Sequence, residues 1–182
     1  MARRPLNPTE IDEARLVFGP GLDYTRARVA ENAGFPNLID RIGQFLMGQP
    51  RPAGVDNAVT LGSTSYFPRT LRTTPDVLAA GNFSDMSWLI HELTHQWQYQ
   101  RFGWRYLSDA LRVQLRQGRG GYDYRRNHAS KEEALREDRD MGKRLADFNL
   151  EQQGDLARDY YVARRRGRDA TPWEPFILDL RS

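Results

Sequence analysis

The stretch "SWLIHELTHQWQYQ", Ser87 to Gln100, constrains this chain more than any other. It carries His-Glu-x-x-His at His91, Glu92 and His95, flanked by apolar Trp88, Leu89, Ile90, Leu93 and Trp97. The pattern predicts a half-buried helix from about Met86 to Arg101, capped by Ser84 or Asp85 and broken at Gly103. Residues four apart share a helix face, so His91 and His95 aim two imidazoles at one point. Glu92 then projects beside that point, where a zinc-bound water would sit. Zinc lowers the pKa of such a water toward 7, and a carboxylate can take its proton as it attacks a carbonyl. The expected cofactor is therefore Zn2+, and Glu92 is the expected general base.

Two ligands do not complete a catalytic zinc site, which uses three protein ligands and one open position. The chain has no cysteine and only three histidines, so the third ligand must be His128 or a carboxylate. A compact three-histidine site would need Gly and His three and six residues after His95. Those positions hold Gln98 and Arg101, which excludes it. The stronger candidate lies in "NLEQQGDLARDYY", where Glu151 and Asp155 are four apart at the start of a helix capped by Asn149. Glu151 suits the role of ligand. Asp155, one turn on, suits that of a carboxylate accepting the free N–H of a ligand His. Glu132 and Glu133 are rivals, but they sit in a uniformly charged segment and read as solvated. An oxyanion stabiliser is also required. Tyr160 and Tyr161 share the helix of Glu151 and are the assigned candidates, with Tyr122, Tyr124, His128 and Arg158 left open.

The rest of the chain frames this site. "LNPTEIDEARLVFG" predicts a helix with Asn7 as cap, Pro8 at its first position and Glu10 in a capping box. Tyr24 to Glu31 alternates as a strand does. Residues 32 to 57 read mostly as loop, with a short helix near Leu38 to Leu46. "NAVTLGSTSYFP" predicts a strand or tight hairpin around Gly62. Its edge, through Thr60, Gly62 and Thr64, is expected to pair with an extended peptide substrate. Residues 69 to 85 read as connecting structure and "WRYLSDALRVQLRQ" as a helix. "GYDYR" reads as a short strand, and Ala129 to Phe148 as one long charged helix. In the tail "TPWEPFILDLRS", the Trp and Phe are expected to pack on the body.

The length of 182 residues fits one domain, with a core over about 6–165 and a tail over 166–182. No apolar run is long enough to span a membrane, and no apolar stretch follows Arg3 and Arg4 to make a secretory signal. The expected localisation is cytoplasmic as made, with export by a dedicated secretion machine compatible. The net charge is +3, carried mostly by arginine. Asp and Glu are interspersed except at Arg164 to Arg168, so nucleic-acid binding is not the expected role.

"HELTHQWQYQ" resembles the HELTH-x-WQ helix of a family of bacterial zinc metallopeptidases. That family includes proteins related to valine–glycine-repeat (Vgr) spike proteins of type VI secretion. It is akin to the metallopeptidase core domain of extracellular contractile injection systems. "EIDEARLVFGPGLDYTRARV", "VTLGSTSYFP" and "FNLEQQGDLARDYY" look like further blocks of the same family, so the resemblance spans about residues 6 to 162. It implies an α+β, zincin-like fold, predominantly helical, with a small sheet beside the motif helix. It also implies His91, His95 and Glu151 as ligands, Glu92 as general base and acid, and a peptide or protein substrate. Secretion-apparatus proteins are the implied partners. The competing expectation is a zinc-stabilised accessory, adaptor or cargo domain without catalysis.

Overall fold

The computed structural model describes residues 2–34, 58–117, 124–125 and 128–182, with the backbone alone over 105–117. Nothing is stated about the remaining residues, among them the segment expected to form a helix near Leu38 to Leu46 and most of "GYDYR".

The described chain is a mixed α/β assembly dominated by helices. Strand β1 (Arg4–Pro5) leads into helix α1 (Pro8–Phe18). Here the capping box reads as written: Asn7 Oδ1 accepts from Glu10 N at 2.8 Å, and Asn7 N donates to Glu10 Oε2 at 2.9 Å. Glu10 does more than cap. Its buried carboxylate also accepts two hydrogen bonds from Arg4 and one from Thr73, which ties the helix start to two distant segments.

Strand β2 (Arg28–Ala30) is shorter than the expected Tyr24–Glu31. The cause is local: Asp23 accepts from the backbone N and hydroxyl of Thr25, folding those residues into a turn. Strands β3 (Val59–Leu61) and β4 (Thr64–Tyr66) form the expected hairpin around Gly62, whose φ of 64° is one glycine tolerates well. The sheet order is β1-β2-β4-β3, with β2 and β4 parallel and the other pairs antiparallel. Among the described residues β3 is an outer strand.

The connecting stretch contains a short helix, α2 (Pro75–Ala79), started by proline at its first position. Helix α3 (Ser84–Gln117) carries the His-Glu-x-x-His motif and breaks at Gly103, with φ 67° and ψ −167°. Its first turn is anchored by Asp85, which accepts bidentate hydrogen bonds from Arg69 and one from Arg72 N. The expected long helix over 129–148 is instead α4 (Lys131–Asp140), a turn at Gly142 with φ 77°, and a single 3-10 turn at Leu145–Asp147. Glycine in the left-handed region ends the helix there despite the continuing charge pattern. Helix α5 (Leu150–Arg165) has Asn149 as its cap, with Gln152 closing a capping box. The tail adds α6 (Glu174–Ile177) and a last 3-10 turn.

Helices α3 and α5 pack against each other at the centre of the molecule. Leu89, Ile90 and Leu93 of α3 and Leu156, Ala157, Tyr160 and Tyr161 of α5 are fully buried in one core. The tail belongs to that core: Trp173, Phe176, Ile177 and Leu180 are buried in it. Arg181 fastens it by donating to Leu16 O and Val17 O at the end of α1 and to Tyr160 Oη. Gly21 permits the approach, since a Cβ there would collide with the backbone of Leu180. No helix of the described residues is long and apolar enough to cross a membrane.

Candidate metal centre

The apolar residues of α3 bury one stripe of the helix and leave His91 and His95 on the neighbouring face, turned toward the N-terminal turn of α5. That turn carries Glu151, where the helix dipole favours a carboxylate. The three side chains converge. His91 Nε2 lies 3.2 Å from His95 Nε2, His91 Nε2 lies 3.4 Å from Glu151 Oε2, and His95 Nε2 lies 3.6 Å from Glu151 Oε1. Zinc ligands at 2.0–2.2 Å in a tetrahedron sit about 3.3–3.6 Å from one another. The three observed separations match one face of that tetrahedron closely. Among the described residues, His91, His95 and Glu151 are the His and carboxylate group spaced to hold a metal ion.

The charges of this cluster are strongly coupled. Burial alone would lower the pKa of His91. The carboxylates of Asp155, Glu151 and Glu92 outweigh it and raise the value to about 10. Burial alone would raise Glu151, but His95 and His91 pull it down to about 2. In the metal-free protein a proton on His91 thus partly balances a locus of negative charge, which a divalent cation would balance more fully.

The residues around the cluster hold its members in place. Asp155 Oδ1 lies 3.1 Å from His91 Nδ1 and 2.7 Å from Arg158 Nη1. The approach to Nδ1 is too bent for a full hydrogen bond, so that nitrogen has no in-line partner. His95 Nδ1 is 2.8 Å from Gln98 Oε1. Gly154 lies beneath the His91 ring: a Cβ there would stand 2.8–3.0 Å from three of its atoms. Only glycine lets α5 come this close.

Glu92 points toward the sheet. Its buried carboxylate accepts from Thr60 Oγ1 of β3 at 2.7 Å. Thr60 Oγ1 is 2.8 Å from Ser65 Oγ, which accepts from Gln96 Nε2 at 2.7 Å. Gln96 Nε2 also donates to Arg28 O. Proton donation therefore runs from Gln96 through Ser65 and Thr60 to Glu92, and ties the carboxylate to the outer strand.

Of the residues singled out in the sequence, the structure brings together His91, His95, Glu151 and Asp155, with Glu92 on the same helix held by Thr60. It does not bring the Tyr160 and Tyr161 hydroxyls to this cluster. Tyr160 Oη donates to Glu174 and Tyr161 Oη to Glu13, each at 2.7 Å, and both rings are buried in the core. The two tyrosines follow Glu151 by more than two helical turns, so sharing its helix does not bring them to the same end. Thr64 is buried on the inner strand β4, whereas Gly62 sits at the hairpin tip under the Tyr99 and Trp104 rings. His128 pairs with Glu137 outside the cluster, Tyr124 donates to Asp159, and Tyr122 lies outside the described residues. Sequence reasoning missed Gln98, Gln153 and Gly154. A glycine inside a strong helical pattern was the available signal.

Fold and site together define a class: a helix-rich α/β chain whose two central helices converge a His-His-Glu group of metal-binding geometry. The chain is 30% identical over 172 residues to the type VI secretion system spike protein VgrG2b of Pseudomonas aeruginosa. The match covers 93% of this chain and 14% of that protein, so the chain corresponds to a small part of its relative. No protein-family model matches the chain, and no solved structure matches it.

Proposed function

We propose that the chain is a zincin-like zinc metallopeptidase domain that hydrolyses peptide bonds. The observation that carries this reading is the convergence of His91, His95 and Glu151 at tetrahedral ligand spacing. Their donor set, two imidazoles and a carboxylate, suits zinc and leaves a fourth position for water or substrate. Zinc held by these residues supplies a Lewis acid and lowers the pKa of water. Glu92 takes the proton from the water that attacks the substrate carbonyl and returns it to the departing amine. Thr60 and Ser65 hold the Glu92 carboxylate in register with β3. The outer edge of β3 offers backbone groups to an extended peptide, which would align its scissile bond beside Glu92. Gln98 holds the His95 imidazole through its Nδ1, while the Asp155 carboxylate faces Nδ1 of His91 at 3.1 Å.

The likeness to a spike protein supports association with a type VI secretion system, in which this domain would travel as an attached or delivered unit. It also favours a second reading, a metal-bound structural or adaptor domain of the spike without catalysis. One experiment separates them. Purified wild type should contain about one zinc per chain and cleave members of a broad peptide and protein panel. Glu92→Gln should keep the zinc and lose cleavage. Full zinc with no cleavage by the wild type would leave the structural reading standing, and no zinc in the wild type would remove both.

A further inference from the structure

We infer that Gln98 and Gln153 form an amide relay that fixes His95 as its Nδ1–H tautomer and so presents the Nε2 lone pair to the metal. The inference deepens the metal-centre reading and rests on it only for its consequence for zinc. Backbone carbonyls can only accept. Gln153 has one polar terminus within reach of Leu145 O at 3.2 Å and Phe148 O at 2.8 Å. That terminus must be its NH2 group, so its oxygen faces Gln98. One terminus of Gln98 lies 3.0 Å from that oxygen and 3.1 Å from Leu150 O. It faces two acceptors and must be the NH2 group of Gln98. The remaining atom, Gln98 Oε1, is the one 2.8 Å from His95 Nδ1. An amide oxygen accepts only, so Nδ1 carries the proton.

Amide and imidazole orientation is ordinarily ambiguous from heavy atoms alone. Here three backbone carbonyls remove the ambiguity. Both glutamines are almost fully buried, at 1% and 3% exposure, so water cannot rescue a flipped amide. A neutral imidazole holds one proton, so fixing it on Nδ1 bares Nε2. Nε2 is the atom that faces His91 and Glu151. The relay belongs to the same segment that delivers the Glu151 carboxylate. Docking of residues 145–153 therefore sets both a ligand and the protonation of another ligand. Gln98 and Gln153 are positioning residues, acting on the ion through His95.

The test reads the imidazoles directly. Three histidines make long-range 1H–15N correlations assignable on the metal-free full chain, recorded where His95 is neutral. Zinc affinity is measured beside it by chelator competition. The wild type should show His95 with its proton on Nδ1. Gln98→Met should give a mixture of tautomers and a zinc affinity about 10–100-fold weaker. Gln100→Met, on the same helix but bonded to Asp23, should change neither. A wild-type His95 protonated on Nε2 overturns the relay, as does a folded Gln98→Met protein with unchanged tautomer and affinity. If Gln98→Met does not fold, the wild-type tautomer decides. Because that measurement needs no metal, a wild type that fails to bind zinc would sink the metal centre without deciding the relay.

Discussion

Replacing Gly154 by alanine should separate the fold from the site. The new Cβ would lie 2.8 Å from His91 Cε1, 2.9 Å from Nδ1 and 3.0 Å from Nε2, where an ordinary contact needs 3.4 Å. The ring must therefore retreat by roughly half an ångström, more than the about ±0.2 Å that metal-ligand distances tolerate. For the fold, the change is nearly balanced. Alanine in a helix interior gains up to about 1 kcal/mol over glycine, while overpacking costs about 1–3 kcal/mol. The crowded group is the far end of a side chain that can swing, so the lower part of that range applies. Metal-free Gly154→Ala should thus unfold within about 1–2 kcal/mol of the wild type. Its zinc affinity should fall at least about 10–100-fold, since a ligand is displaced. The assay is chelator competition combined with thermal unfolding with and without zinc: the zinc-induced rise in Tm should shrink while the metal-free Tm barely moves. Wild-type zinc affinity in Gly154→Ala would refute the claim that α5 carries glycine here to admit the His91 ring.

Glu151→Ala should lower zinc content sharply while His128→Ala, whose target pairs with Glu137 outside the cluster, should not, as read by elemental analysis. Thr60→Val removes the hydroxyl that holds Glu92 and should lower kcat more than it raises KM, whereas Thr60→Ser should restore most of the rate in a peptide-cleavage assay. The metal-free protein should show a signed pH dependence. His91 is raised to about 10, so its stabilising contribution is full below its usual 6.5 and is lost as pH rises through about 10. Glu151 is lowered to about 2, so its contribution is present above 4.5 and is lost as pH falls toward about 2. Denaturant titrations of chelated protein should show both flanks, and a metal-free stability that climbs from pH 7 to 10 would contradict the His91 assignment. Gly21→Ala should loosen the tail by breaking its approach to Leu180, costing about 1–3 kcal/mol and exposing residues after Arg168 to limited proteolysis.

Local signals carried the parts of this molecule that local physics decides. Asn7 with Glu10, Asn149 with Gln152, and the hairpin at Gly62 are short-range arrangements, and each stands where the residues put it. The His91–His95 spacing is equally local, and Glu151 was reachable because it pairs with Asp155 four residues on at a helix start and matches the EQQ block of the resembling family. What was not legible depends on how distant elements meet. Tyr160 and Tyr161 looked like catalytic groups because they share a helix with Glu151. Their hydroxyls turn instead to Glu174 and Glu13, partners 14 and 148 residues away. Thr60 was read as a strand-edge residue for substrate, and the reach of its side chain to Glu92, across 32 positions, was not legible. Gln98 was noticed only as a position lacking the glycine of another site type, and its role depends on Gln153, 55 residues on. The charged run over 129–148 hid its break because one glycine, Gly142, outweighed a helical pattern on both sides.

The ligands of the candidate centre lie on α3 and α5, and 60 residues separate His91 from Glu151. An ion bound there is a cross-link, closing a loop that includes the whole of α4. Closing such a loop in the unfolded chain is entropically costly, by an amount that grows only slowly with its length. The unfolded chain therefore offers a two-histidine fragment of the site at best, and the full affinity appears only once the two helices have docked. Zinc would act as a late staple, not a folding nucleus. A chain that unfolds would lose its metal and regain it only on refolding, so metal occupancy would report whether the two helices are docked.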